Sequence, residues 1–66
     1  METILSQNAR VTDPQGRTLL DGVEVALCTI DGRDYYRIGQ TLEYAPDVER
    51  HEHHLHLPGP EQTVHL

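Results

Sequence analysis

Turn signals recur along this chain at intervals too short for stable helices. They are Asp13-Pro14-Gln15-Gly16, Asp21-Gly22, Asp31-Gly32, Ala45-Pro46-Asp47 and Pro58-Gly59-Pro60. The segments between them are rich in β-branched and aromatic residues, and evenly spaced short strands of this kind are typical of a small sandwich or barrel. We therefore expect an all-β fold for residues 1–66, a single small antiparallel barrel or curled meander of about five strands.

The first turn has the residues of a type I turn, with Asp at the first position, Pro at the second and Gly at the fourth. It is expected to join a strand at 10–12 to one at 17–20. The preceding residues 3–9 fit neither the helix nor the strand period well, so residues 1–9 form either an arm or the first strand.

Alternation is clear from Val23 to Ile30, where Val23, Val25 and Leu27 share one face. The Asp31-Gly32 turn then leads into an expected strand at 35–44, with Tyr36, Ile38, Gln40, Leu42 and Tyr44 on one face. A loop of two residues and a loop of four residues both place Leu27 on the same side as Tyr36 and Ile38, so the core face does not depend on loop length.

The last two expected strands are 49–57 and 62–66. A four-residue loop at 45–48 would set Leu55 opposite Ile38, whereas a three-residue loop would bury histidines there, which costs free energy without hydrogen-bond partners. A four-residue loop at 58–61 pairs Leu57 with Gln62 and Leu55 with Val64. The final strand leaves a sheet edge to be covered by the N-terminal strand, by a second subunit or by nothing.

Four of the five histidines lie between positions 51 and 57. In the chosen register His54 is opposite His65, with Cβ atoms about 4.5–5.5 Å apart, and His56 lies on the same outward face. Three imidazoles at this spacing predict a site for zinc or nickel, with Glu52 as a fourth ligand or as an acceptor for a ligand. The alternatives are a solvated polar face and a pH-responsive surface. His51 and His53 have the opposite parity and are expected to be partly buried at the rim of the sheet.

Charge excludes some classes of partner. The formal net charge is −6, with five scattered arginines and no lysine, which disfavours a nucleic-acid backbone or an anionic membrane. A basic protein partner fits better, and one hypothesis is a phage or mobile-element inhibitor of a nucleic-acid-binding protein. The single Cys28 favours a reducing compartment, hence a cytoplasmic location, and mid-strand it is expected to be a small buried hydrophobe.

No Gly-rich phosphate loop and no Ser-His-Asp order is recognisable, so we do not expect an enzyme. Tyr35 falls on the face opposite Tyr36, near Arg37, and an outward tyrosine beside an arginine is typical of an interface and equally of an ordinary sheet face. The leading hypothesis is a non-enzymatic interaction module that binds a protein partner, or its own copy, through an exposed sheet face or edge. Divalent-metal binding or sensing is the alternative.

One stretch, Val11-Thr12-Asp13-Pro14-Gln15-Gly16-Arg17-Thr18-Leu19-Leu20-Asp21-Gly22-Val23-Glu24-Val25-Ala26-Leu27, resembles the SH3-like barrel module of PhnA-type proteins. The shared pattern is V-x-D-x-x-G-x-x-L-x-D-G-x-x-V-x-L, which consists of turn and core positions. The resemblance implies a five-stranded barrel in which an Asp-Gly turn leads into a long strand. It implies no activity, and the cysteine-rich zinc ribbon of that family is absent from this chain.

Overall fold

A computed structural model describes all residues from 1 to 66, and the fold is all-β as expected. Seven strands are joined by tight turns and one 3₁₀ turn at Ala45–Asp47. The strands are β1 (Glu2–Thr12), β2 (Thr18–Ile30), β3 (Arg33–Ile38), β4 (Thr41–Tyr44), β5 (Glu49–His51), β6 (His54–Leu57) and β7 (Gln62–His65). No helix of the structure is long and apolar enough to cross a membrane.

The strands form one open antiparallel sheet in the order β4-β3-β2-β1-β7-β6-β5. The terminal strand β7 pairs with β1, where Val11 is opposite Val64. The N-terminal strand therefore covers the edge that the sequence left open, and residues 2–12 are a strand rather than an arm. The two free edges are β4 and β5, so the sheet does not close into the expected five-stranded barrel.

The Asp13 turn forms as predicted. The Gly16 amide donates to the Asp13 carbonyl at 2.9 Å, and Asp13 Oδ1 accepts from the amides of Gln15 and Arg17 at 3.0 and 2.8 Å. A carboxylate that accepts backbone amides in this way fixes the turn locally. β1 and β2 consequently leave it as a long hairpin.

The expected turn at Asp21-Gly22 is wrong. These residues lie inside β2, where the pairing shifts between Ala9–Val23 and Val11–Leu20 so that β2 carries an extra residue. Gly22 has a positive φ of 67°, as in a bulge whose glycine is left-handed. An Asp-Gly pair suits such a bulge as well as a two-residue turn, so the residues alone did not separate them. Four register shifts along this hairpin bend the sheet and curl it around its core.

The Asp31-Gly32 hairpin confirms the predicted core face. Its loop has two residues, because Ile30 is opposite Arg33, and both loop residues have positive φ, as a type I′ turn requires. Leu27 is opposite Tyr36 and Val25 is opposite Ile38, as expected.

Two expected strands are each a hairpin instead. The stretch 35–44 folds back at Gly39-Gln40, so that Arg37 is opposite Leu42 and Tyr35 is opposite Tyr44. Leu42 and Tyr44 therefore face away from Tyr36, not with it. The stretch 49–57 folds back at Glu52-His53, which places His51 opposite His54. These two unrecognised turns raise the strand count from about five to seven.

The core lies on the concave side of the sheet and draws on both halves of the chain. Leu55 and Val64 are fully buried and opposite one another, and Leu57 is opposite Gln62, so the predicted parity of β6 and β7 is confirmed. Leu55 does not pair with Ile38, because β2, β1 and β7 separate their strands. The core cluster contains Ala9, Val11, Val25, Tyr36, Ile38, Val48, Leu55, Leu57 and Val64.

Candidate functional site

The convex side of β1–β4 carries a surface that we call the outer face. It consists of the residues that alternate with the core positions where all four strands lie side by side, at 2–4, 24–30, 33–37 and 42–44. Two cross-strand rows define it, Glu2–Cys28–Tyr35–Tyr44 and Ile4–Ala26–Arg37–Leu42, with Glu24 beyond one end and the Ile30–Arg33 pair beyond the other.

Large apolar side chains are exposed on this outer face. Ile4 is 43% exposed, Leu42 47% and Tyr44 42%, although all three lie in regular strands. The Tyr35 and Tyr44 rings contact each other with centroids 5.6 Å apart. A sheet face with only a solvating role would carry polar residues at such positions.

Arg37 forms ion pairs with both glutamates of the outer face. Its Nε and Nη2 donate to the Glu2 carboxylate at 3.0 and 2.9 Å, and Nη2 also donates to Glu24 Oε1 at 2.5 Å. Its Nη1 donates to the Gly39 carbonyl at 2.7 Å. Every guanidinium nitrogen therefore has an acceptor within the chain.

This network shifts the pKa values of its members. Hydrogen bonds from Arg37, and then from Cys28, lower the pKa of Glu2 to about 2. The thiol of Cys28 donates to Glu2 Oε2 at 3.0 Å, and that bond together with burial raises the pKa of Cys28. Cys28 is buried as expected, and its thiol stays protonated, whereas a reactive cysteine needs a thiolate.

Tyr35 and Arg37, the two interface residues expected from sequence, both lie on the outer face. Sequence reasoning missed Ile4, Leu42 and Tyr44. Leu42 and Tyr44 were assigned to the core because the turn at Gly39-Gln40 was not recognised. The only sequence signal for this turn was the glycine at position 39. In the structure Gly39 has a positive φ of 62°.

A second surface, the histidine face, is formed by the outward side chains of β5, β6 and β7. It holds His51, His54, His56 and His65. His54 is opposite His65 as predicted, with ring centroids 5.0 Å apart. The His54 and His56 centroids are 6.4 Å apart, and those of His51 and His56 are 5.0 Å apart.

The sequence had indicated that His51 and His53 are partly buried at the rim of the sheet. This prediction is wrong, because both side chains are exposed. His51 belongs to the histidine face, where its Nε2 lies 2.6 Å from Glu49 Oε1. His53 lies in the β5–β6 turn with a side chain that is 75% exposed. The parity of both was assigned on the assumption of an unbroken strand, which the turn at Glu52-His53 interrupts.

His65 is the most constrained of the imidazoles. Its Nε2 is 2.9 Å from the hydroxyl of the buried Thr12. Burial, followed by the charges of Arg10, His54 and His56, lowers its pKa below the ordinary 6.5. The ring is therefore neutral at pH 7.5.

Glu52 does not join the other three residues of the predicted metal site. It lies in the β5–β6 turn, where its carboxylate is 3.7 Å from His53 Nε2. No group of three or more His, Cys, Asp or Glu side chains is arranged to hold a metal ion. The structure thus brings His54, His56 and His65 side by side without converging them on one point.

An open groove of about 420 Å³ borders the histidine face. Its polar lining includes the carboxyl groups of Asp47, Glu49 and Glu61 together with His51 and His56. The groove gives this end of the molecule an acidic character that the outer face lacks.

Comparison of the chain with protein-family models, with curated proteins and with solved structures finds no match. The two surfaces are therefore interpreted from their own chemistry.

Proposed function

We propose that this protein is a small non-enzymatic interaction module that binds a protein partner or its own copy through the outer face. The single observation that carries the proposal is the set of exposed side chains Ile4, Leu42 and Tyr44 on one face. Exposed apolar side chains grouped on one face of a sheet are common at interaction surfaces. Aromatic residues and arginine are also the types enriched in interfaces.

The charge distribution supports the same surface. The outer face holds two glutamates, Glu2 and Glu24, and two arginines, Arg33 and Arg37, which cancel. The other nine acidic residues and three arginines carry the whole net charge of −6. Interface centres are depleted of net charge, so the outer face is the part of this acidic surface that is best suited to association.

The two free edges of the sheet, β5 and β4, also differ in charge, and the less charged edge is the one next to the outer face. β5 is three residues long and reads Glu49-Arg50-His51, with every side chain exposed. Short charged edge strands discourage pairing with another chain. β4 is one residue longer and carries one charged residue, Glu43, between the exposed Leu42 and Tyr44, so the less charged edge borders the outer face.

The experiment compares the wild type with Leu42→Lys and with the matched control Leu19→Lys. Leu19 is 47% exposed, the same as Leu42, and lies on β2 seven residues from Ala26, roughly 20 Å away along the strand. We expect Leu42→Lys to abolish both self-association on a dilution series and capture of partners from cells that express the protein. Leu19→Lys should preserve them. Wild-type protein that neither self-associates nor captures a partner, or equal losses in both variants, would refute the proposal.

A second candidate function is divalent-metal binding, and one observation favours it: the direct opposition of His54 and His65. Thr12 holds Nε2 of His65, so Nδ1 is the nitrogen left for a metal, as in sites where a hydroxyl or carbonyl orients the ligand. Surface imidazoles reorient on the picosecond-to-nanosecond scale, which allows His56 to approach an ion bound to that pair.

Isothermal titration with zinc and with nickel tests this second candidate. The expected dissociation constant is below about 10 μM for the wild type, with loss of binding in the His54→Ala, His65→Ala double variant. Weaker binding, or the same binding in the double variant, would eliminate it. His53→Ala is the control, because His53 lies outside the histidine face.

A further inference from the structure

We propose that the outer face packs against the outer face of a second copy, about a two-fold axis that runs parallel to the strands between β2 and β3. The inference rests on the proposed function and names the partner. Two aligned sheets packed face to face are a common arrangement, with the sheets about 10 Å apart.

Charge is the first reason to name a second copy. Two molecules of net charge −6 repel one another, and at physiological salt this repulsion decays over roughly 8 Å. Contact through the outer face brings together the two neutral surfaces and keeps the acidic groove of each copy distant. A basic partner would be drawn to that groove, whereas the outer face offers it no net attraction.

The distribution of side chains is the second reason. The row Ile4–Ala26–Arg37–Leu42 has apolar residues at both ends and a small residue beside a large one in the middle. The proposed axis reverses this row onto itself, so Ile4 meets Leu42 of the second copy. Arg37 of each copy then lies above the position of Ala26 of the second copy, which its own neighbours already bury. This arrangement keeps the two Arg37 guanidinium groups apart, and each contact occurs twice, as in an isologous interface.

The third reason is that covering the Arg37 network leaves at most one of its five N–H groups without an acceptor. All three guanidinium nitrogens already donate within the chain, to Glu2, Glu24 and the Gly39 carbonyl. Burying a charge is costly mainly when its hydrogen bonds are not satisfied. A second copy therefore needs to supply at most one acceptor, and its apolar residues can cover the rest of the network.

The size of the outer face sets the expected strength. Four strands at about 4.8 Å spacing and about six residues of strand length give a face of roughly 19 by 20 Å. Two such faces cover roughly 760 Å², and their convex shape limits contact to the strands nearest the axis. This area is below the roughly 1,000 Å² of stable specific interfaces, so only a weak and transient complex is expected. We expect a dissociation constant on the order of 10–100 μM rather than an obligate dimer.

Sedimentation equilibrium between about 5 μM and 1 mM tests the inference. The wild type should show a monomer–dimer equilibrium. Ile4→Lys and Leu42→Lys should each raise the dissociation constant at least about tenfold, while Leu19→Lys should change it less than about twofold. Circular dichroism of each variant verifies that it is folded, and the wild-type dilution series does not depend on any variant.

A charge reversal tests the geometry. The chain with both Ile4→Lys and Leu42→Glu should dimerise more tightly than either single variant, because the new opposite charges face each other across the axis. Within one copy they lie three strands apart, roughly 14 Å, where they attract only weakly. A double variant that dimerises no more tightly than the tighter of Ile4→Lys and Leu42→Glu would overturn this arrangement.

The outcomes separate this inference from the proposed function. A wild type that is monomeric at 1 mM but captures another protein through Leu42 overturns the second copy and leaves the interaction module intact. A wild type that does neither overturns both. Equal weakening by Leu19→Lys and Leu42→Lys would mean that dimerisation uses another surface, and would also overturn the inference.

Discussion

The outer face of β1–β4 and the histidine face of β5–β7 are both built from residues that alternate with the same core, yet they treat polar groups in opposite ways. On the outer face Arg37 satisfies Glu2 and Glu24, and apolar side chains remain exposed around them. On the histidine face the imidazoles stand beside one another, and the adjoining groove adds carboxylates. The outer face is therefore better suited to burial against another protein surface, and the histidine face is better suited to contact with solvent.

The two surfaces differ in the free-energy cost of burying their polar groups against another molecule. An internally paired network next to exposed leucine and tyrosine can be buried with at most one Arg37 N–H left without an acceptor. A row of imidazoles cannot, since each ring has two nitrogens to satisfy. The net charge of the whole chain does not reveal that the outer face is neutral. The excess of six negative charges lies entirely on the rest of the surface.

The largest expected effect separates the inner side of the histidine strands from the outer face. Leu55, between His54 and His56, is fully buried, whereas Leu42 is 47% exposed. We expect Leu55→Ala to lower the free energy of unfolding by about 2–5 kcal/mol, and Leu42→Ala to change it by less than about 0.5 kcal/mol. Urea unfolding of dilute protein measures both. Similar costs for the two leucines would contradict the assignment of inner and outer sides.

A smaller effect is expected at the hydrogen bond between Thr12 and His65. Thr12→Val removes the hydroxyl that lies 2.9 Å from His65 Nε2, and loss of a part-buried hydrogen bond costs about 1 kcal/mol. Thr63→Val is the matched control, because its hydroxyl is 3.4 Å from His56 Nδ1 at an exposed site. Urea unfolding at pH 7.5 compares them, and an equal cost for Thr63→Val would show that His65 is no more constrained than His56.

The pH dependence of stability should then distinguish the two faces. The pKa of His65 is lower in the folded protein than its ordinary 6.5, so the unfolded chain binds the proton more readily. The stability contributed by the neutral ring is complete above pH 6.5 and is lost as the pH falls from there through the lower pKa of the folded protein. Urea unfolding at pH 7.5 and 5.5 should show a decline that His65→Gln reduces. An unchanged decline in His65→Gln would contradict this assignment.

The outer face should respond only to much stronger acid. Hydrogen bonds from Arg37 and then Cys28 lower the folded pKa of Glu2 from 4.5 to about 2. Its contribution is therefore complete above pH 4.5 and is lost as the pH falls toward 2. Glu2→Gln should flatten the stability profile in that range, while Glu61→Gln, a groove residue, should not. Identical acid profiles for the two variants would contradict the ion pair.

Much of the curled sheet could be predicted from the chain because the strongest turn signals and the hydrophobic parity agree. The core face of the Asp31-Gly32 hairpin, for which loops of two and of four residues were both open, and the pairing of Leu55 with Val64 followed from alternation. The turns at Gly39-Gln40 and Glu52-His53 did not, since an isolated glycine also occurs in strands and Glu-His has no turn preference.

These two missed turns explain what was not predicted of the candidate surfaces. A hairpin reverses the chain and resets which residues share a face, so one unrecognised turn moved Leu42 and Tyr44 from the core to the outer face. The other brought His51 onto the histidine face. Tyr35 and Arg37 were placed correctly because they precede both turns and are fixed by the pairing of β3 with β2.

The most direct test of the account is a concentration series of amide correlation spectra recorded on the wild type, from about 20 μM to 1 mM. The account predicts concentration-dependent shifts that are concentrated on the outer face, including Ile4, Arg37 and Leu42, and that are small on the histidine face. Spectra that do not change with concentration, or that change chiefly at His51, His54 and His56, would contradict it.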